Sequence, residues 1–129
     1  MKNKLFLNLI YFFLSNVSFA ENILIESKNI ILDKNREISI FKDEVIVRTQ
    51  ENTQIASDFA EYNKKNGILI LKENIVARDI KGNILKTNYA KYDEKTKIFS
   101  SIGPTKITTV EGYNLDGSDI ILDDNKKII

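Results

Sequence analysis

The sequence predicts an all-β fold, an antiparallel meander of hairpin repeats creased into an open β-jelly roll. Three observations carry that expectation. The chain repeats itself about every thirty residues without gaps, apolar residues within a repeat come in pairs two apart, and turn-forming clusters separate those pairs.

The repeat is visible in "NIILDKNREI", "FAEYNKKNGI", "YAKYDEKTKI" and "DIILDDNKKI", which begin at Asn29, Phe59, Tyr89 and Asp119. One apolar column is Ile25, Ile55, Leu85, Leu115, and a second is Ile30, Ala60, Ala90, Ile120. A third, Leu32, Tyr62, Tyr92, Leu122, is followed in every copy by Asp or Asn. The fourth, Ile38, Ile68, Ile98, Ile128, never varies. A fifth, Val45, Ile75, Thr105, fades in the third copy, where Gly103 and Pro104 intervene.

Taken in order, the chain opens with a leader. Lys2 and Lys4 precede an apolar run over residues 5–14, and Ser18-Phe19-Ala20 offers a small-x-small cleavage site, so residues 1–20 are expected to be a secretory signal peptide. The uninterrupted run is shorter than the roughly 20 residues a membrane-spanning helix needs. Residues 21–129 are then expected to form one domain of about three and a half repeats, incomplete at the C-terminus. Within each repeat, the pairs 30 and 32, 38 and 40, 45 and 47 suit half-buried strands, and Ile, Val and Thr abound. The clusters "DKNR", "NKKNG", "DEKT" and "DDNK" supply Asx and Gly turn chemistry, which makes each repeat a β-hairpin. About seven strands are expected from these hairpins.

Parity adds a shape. Side chains alternate faces with period two, so positions 25 and 30 cannot share a face in a straight strand, and neither can 40 and 45. One parity shift per strand is expected, near 27–29 and 41–44 and their equivalents. A bulge or bend produces such a shift, and strands that all bend at one level give a folded sheet with its apolar face inward.

The catalytic inventory is poor. The chain has no Cys and no His, which removes nucleophile–His arrangements, disulfides and the commonest metal ligand. The carboxylates fall mostly in turns. Asp123 and Asp124 lack a convergent third ligand, and Gly82, Gly103, Gly112 and Gly117 sit at bends or junctions without a phosphate-loop pattern. No catalytic residue, metal or cofactor is expected, and no enzyme. Of the 19 Lys and Arg, Lys2 and Lys4 lie in the leader, which leaves 17 against 18 acidic residues in the domain. That balance argues against a nucleic-acid partner. Lys42 and Lys72 share a column, as do Arg48 and Arg78. They either line a rim facing anionic headgroups or coat a solvated outer face, and the parity of 48 and 78 favours the second.

The stretch "IASDFAEYNKKNGILILKENIVARDIKGN" (residues 55–83) resembles the repeat of the OstA-like (organic-solvent-tolerance-like) N-terminal domain family of lipopolysaccharide-transport proteins. That family's repeat runs approximately I-x-A-D-x-A-x-Y-D, a spacer, a hydrophobic strand, then G-N-V. The matching residues are Ile55, Ala56, Asp58, Ala60, Tyr62, Asn63, Asn74 and Ile75, and in the next copy Leu85, Asn88, Ala90, Tyr92, Asp93 and Gly103. The family's glycine is replaced by Asp43 and Glu73 in the first two copies. Within the family, the N-terminal part of the outer-membrane assembly component is the type this chain most resembles.

The resemblance implies a periplasmic module, outer-membrane associated if the chain is part of a longer one, that shields the lipid A acyl chains of lipopolysaccharide in an apolar groove during assembly at the outer membrane. The residues expected to line that groove are Ile38, Ile40, Ile55, Ile68, Ile70, Leu85 and Ile98. The fourth copy stops mid-hairpin, so Ile128 and Ile129 are expected to form an edge that pairs with another OstA-like jelly roll. The alternative expectation is a structural β-repeat protein that self-associates through sheet edges, keeps its apolar columns as core and binds no lipid.

Overall fold

A computed structural model of the chain describes residues 16–19, as backbone, and 23–123. Eleven strands form one antiparallel sheet: β1 (Asn16–Phe19), β2 (Ile23–Ser27), β3 (Asn29–Asp33), β4 (Ile38–Thr49), β5 (Gln54–Asn63), β6 (Ile68–Arg78), β7 (Ile84–Asp93), β8 (Ile98–Ser101), β9 (Pro104–Thr108), β10 (Asn114–Ser118) and β11 (Ile121–Asp123). Three pairs are halves of one bent strand. β2 and β3 both pair with β4, β8 and β9 both pair with β7, and β10 and β11 pair with β9 and β8. Joining the halves leaves the seven creased strands expected from the repeat, with the short β1 added beside β2. Most of the expected signal peptide, and Ile128 and Ile129, lie outside the described residues.

Every strand bends at the same level. Between β4 and β5 the register jumps from Lys42↔Phe59 to Val45↔Ser57, so Asp43 and Glu44 stand opposite Asp58 alone. Between β6 and β7 it jumps from Lys72↔Tyr89 to Ile75↔Thr87, which sets Glu73 and Asn74 against Asn88. Two residues opposite one make a bulge. Asp43, Glu44, Glu73 and Asn74 all adopt left-handed φ values of 53 to 68°, and Gly103 takes φ 86° at the equivalent level. Asp43 and Glu73 therefore adopt the conformation for which the related repeat keeps a glycine. Each L residue held there costs about 1–2 kcal/mol. Cross-strand hydrogen bonds offset that cost. Asn29 Nδ2 donates to Asp43 Oδ2 at 2.7 Å, Asn74 Nδ2 to Asp58 Oδ2 at 2.6 Å, and the Gly103 amide to Asp119 Oδ1 at 2.9 Å.

The turns obey two further columns. In the loops 34–37, 64–67 and 94–97, the residue before the loop accepts from amides inside it: Asn63 Oδ1 from Lys65 at 3.0 Å, Asp93 Oδ1 from Lys95 at 2.9 Å. Glu37, Gly67 and Lys97 close these loops with left-handed φ. Arg36 donates to Asp33 in the first loop and holds that carboxyl below its ordinary pKa. At the other end of the strands, Asn52, Gly82 and Gly112 supply the left-handed residue. Every left-handed residue among the described residues thus lies in one of these turns or at the crease.

The crease divides the sheet into two leaves. The first holds β2, β9, β10 and the halves of β4 to β7 that meet the 50–53 and 79–83 turns. The second holds β3, β8, β11 and the halves that end at the 34–37, 64–67 and 94–97 loops. Their facing sides make one core, in which Phe41, Val45, Val47, Ile55, Ala60, Leu69, Leu71 and Ala90 are fully buried. Burying such an aliphatic or aromatic side chain contributes about 1.5–3 kcal/mol.

Replacing Glu73 by Gly should raise stability by about 0.5 kcal/mol, because relief of the left-handed strain exceeds the added unfolded-state entropy. Gly67→Ala should do the opposite. Its φ is +72°, and a Cβ there would stand 3.0 Å from Glu94 Cγ. Urea denaturation of the two variants checks both signs.

Candidate functional site: the apolar interior and its mouth

Of the five columns read from the sequence, four face the interior. Ile25, Ile55 and Leu85 are at most 1% exposed, as are Ala60, Ala90, Val45 and Ile75. The fourth column does not join them, and the expectation that Ile38, Ile40, Ile68, Ile70 and Ile98 line the interior is corrected by the register. The turn after Asp33 closes on the pair Asp33↔Ile38, so Leu32 opposes Ser39 and Ile30 opposes Phe41. A four-residue loop of this kind shifts parity by one across the hairpin, which moves every side chain of the following strand to the other face. Ile68 and Ile70 accordingly sit opposite Asp93 and Lys91, half-buried on the outer face. Ser39, Leu69 and Phe99, with Phe41 and Leu71, take the inward places instead. Of the residues expected to line the groove, Ile55 and Leu85 alone face inward.

The same register revises the parity argument. A shift occurs in β5 and β7, where burial passes from 55 and 57 to 60 and 62, and from 85 and 87 to 90 and 92. None occurs in β4 and β6, where 41, 45 and 47, or 71, 75 and 77, stay inward through the bulge.

A column of buried hydroxyls went unread in the sequence. Ser27, Ser57 and Thr87 recur at the repeat period and sit at the crease, 4 to 8% exposed. Ser27 Oγ donates to the Asn29 carbonyl at 2.8 Å and Ser57 Oγ to the Phe59 carbonyl at 3.1 Å, which satisfies a carbonyl at the bend. Their signal was the Ser, Ser, Thr recurrence itself, invisible to a search for apolar columns. In the third copy two inward positions change as well: Phe41 and Leu71 give way to Ser101, and Val45 and Ile75 to Thr105. Ser101 Oγ lies 2.7 Å from Thr105 Oγ1, which lies 3.2 Å from Thr87 Oγ1.

The mouth, where the free ends of the two leaves meet, is closed by charge. Lys97 in the 94–97 loop of the second leaf places Nζ 2.6 Å from Oε2 of Glu51 in the β4–β5 turn of the first, with side chains 24 and 17% exposed. Beneath the second leaf's tips, the Tyr62 hydroxyl donates to the buried carboxylate of Glu94. The ends of the stack are looser. Leu32 faces inward at one end yet is 62% exposed, and Leu115 at the other is 52% exposed.

The outer face carries the basic columns. Arg48 forms an ion pair with Glu26, its neighbour across β2 and β4, and Lys72 stands 5.3 Å from the Phe59 ring centroid and 6.0 Å from that of Tyr89. Among the described residues no group of three His, Cys, Asp or Glu side chains could hold a metal ion, and no helix is long and apolar enough to cross a membrane.

The crystal structure of LptH, the LptA-homologous periplasmic component of the lipopolysaccharide transport device from Pseudomonas aeruginosa, matches this fold with a TM-score of 0.67. The match covers 82% of this chain and 78% of that one at 17% identity. The chain therefore has the creased jelly-roll fold of the OstA-like lipopolysaccharide-transport proteins. It belongs to the LptC-related lipopolysaccharide-assembly family, whose model matches residues 20–128. The family named is the LptC-related one rather than the outer-membrane assembly component. No curated protein matches the sequence.

Glu51→Gln keeps the shape of the mouth contact and removes its charge. Stability should fall by no more than about 2 kcal/mol, because the pair is only 24 and 17% exposed but the glutamine amide still accepts from Lys97. Amide exchange should nevertheless quicken in both the β4–β5 turn and the 94–97 loop while the crease amides stay unchanged, which hydrogen-exchange mass spectrometry resolves.

Proposed function

We propose that this chain is a periplasmic, non-enzymatic module of lipopolysaccharide transport, which holds lipid A acyl chains between its two leaves. The observation that carries the reading is the largely apolar interior, running from Leu32 and Ile30 past Phe41, Leu71 and Tyr92 to Ile107 and Leu115. A single creased sheet has no second layer to hold its leaves together. Parting them at the mouth breaks the Glu51–Lys97 ion pair and leaves the crease hydrogen bonds intact. Acyl chains entering between the leaves would replace side-chain contacts with equivalent apolar ones, each buried CH₂ contributing about 0.8 kcal/mol. Exposed Leu32 and Leu115 mark the two ends through which a chain would slide. Edge pairing with other jelly rolls of the transport bridge fits the same geometry, since β3 at one end and β10 and β11 at the other each pair on one side.

The rival reading, a structural repeat that binds no lipid, draws on the sealed interior, where Leu69 and Leu71 have no exposure.

Neighbouring residues on opposite faces separate the two readings. A photo-crosslinking phenylalanine analogue at Phe41 or Leu71 should give lipopolysaccharide adducts, with the same label at Ile40 or Ile70 as the outer-face control. Labels at exposed Leu32 and Leu115 test the ends without disturbing the core. Adducts absent from all four inward positions, or equal on both faces, would overturn the transport reading.

A further inference from the structure

The ladder opens at the crease between β2–β3 and β4, between β5 and β6, and between β7 and β8–β9. β7 pairs with β9 from Ile84 to Lys86 and with β8 from Ala90 to Asp93, so 87–89 face 102–105, bridged by the Ile102 amide, which donates to the Tyr89 carbonyl at 2.8 Å. At the neighbouring β6–β7 junction the gap is a single residue on β7, Asn88. The cause is local. Pro104 has no amide to donate, and Gly103 turns the strand with φ 86°. The Thr87 hydroxyl reaches across to the Pro104 carbonyl at 3.1 Å in place of a ladder bond. A cleft of about 550 Å³ opens at this point, with the buried Thr87 and Thr105 in its lining.

The walls of the cleft are unusual in charge. Lys86 and Lys106 are directly opposed across the ladder, an arrangement that destabilises a strand pair. Neither makes an ion pair among the described residues, although other lysines of the chain do. Asp116, opposite Lys106 on β10, makes none either. Asn88 accepts from the Asn74 amide through Oδ1, which leaves its NH₂ group to donate. Two ammonium groups and an amide donor thus share one cleft with a single carboxylate, a set that suits a compact anion with several acceptor oxygens.

We infer that the breach between β7 and β9 is a phosphate-binding site, with Lys86, Lys106 and Asn88 as its donors. The ligand class is a phosphomonoester, supplied either by the sugar of a phosphorylated glycolipid or as free phosphate. The glycolipid source rests on the transport reading, and the donor geometry does not. The site occurs in the third copy because Pro104, Thr105 and Lys106 occur together there; the equivalent triplets are Glu44-Val45-Ile46 and Asn74-Ile75-Val76.

The test is a titration of the ¹⁵N-labelled full chain with inorganic phosphate and, separately, with glucose 1-phosphate. Saturable shifts are expected at the Lys86, Asn88 and Lys106 amides. Affinity should be at least about tenfold weaker in the Lys86→Gln/Lys106→Gln variant and unchanged in Lys91→Gln on the second leaf. The double variant should melt no lower than the parent in phosphate-free buffer, because the opposed charges are gone, so a lost titration reports the site rather than unfolding. Tighter binding of the sugar phosphate assigns a glycolipid source, and equal binding assigns free phosphate. No saturable shift at those amides, or the same titration in the double variant, would overturn the inference. Lipopolysaccharide adducts from the inward labels do not depend on this site, so the two proposals fail separately.

Discussion

The fold depends on the crease. A stack of hairpins buries nothing by itself on either face, and this chain has no helix or second sheet among its described residues to cover the apolar one. Bending every strand at one level lets the sheet cover itself. The bend demands left-handed backbone at Asp43, Glu44, Glu73 and Asn74, which is costly for residues with a Cβ. Because the bulges line up, the side chain that satisfies one bend comes from the next strand, as with Asn29 for Asp43 and Asp58 for Asn74. Each strand's bend is thus held by the strand beside it.

Self-covering has a consequence for transport. Two leaves joined along one line can part at the opposite side without breaking the ladder, because ladder bonds run along the stack rather than across it. What opposes parting is apolar contact between the leaves and the Glu51–Lys97 pair at the mouth. Apolar contact is non-directional, so an acyl chain can substitute for it. The third copy departs from this uniformity. Ser101 and Thr105 put hydroxyls where earlier copies have Phe41 and Leu71, Val45 and Ile75. That end of the stack is therefore more polar than the first two copies.

Much of this was legible in the residues. The period located the turns, and Asp33, Asn63 and Asp93 cap them as their chemistry requires. Columns 25, 30, 32 and 45 face inward as their apolar character implies. The fourth column was misleading. Its isoleucines recur without variation, but recurrence reports position within the hairpin and not which face that position takes. The shift came from the loop 34–37 and its equivalents, whose closing pair joins residues of opposite parity. The hydroxyl column at 27, 57 and 87 was present in the sequence yet carries no hydrophobic signal; its role is set by carbonyls that the bend brings within reach.

By itself the sequence determined the period, the strand content, the turn chemistry and the need for a bend, because each depends on residues close together in the chain. The tertiary structure decided the rest. Which face Ile38, Ile68 and Ile98 occupy follows from how each loop closes. The meeting of Glu51 with Lys97, 46 residues apart, follows from folding one leaf onto the other. The opposition of Lys86 and Lys106 follows from the register of β7 with β9, which Pro104 interrupts and no single strand encodes.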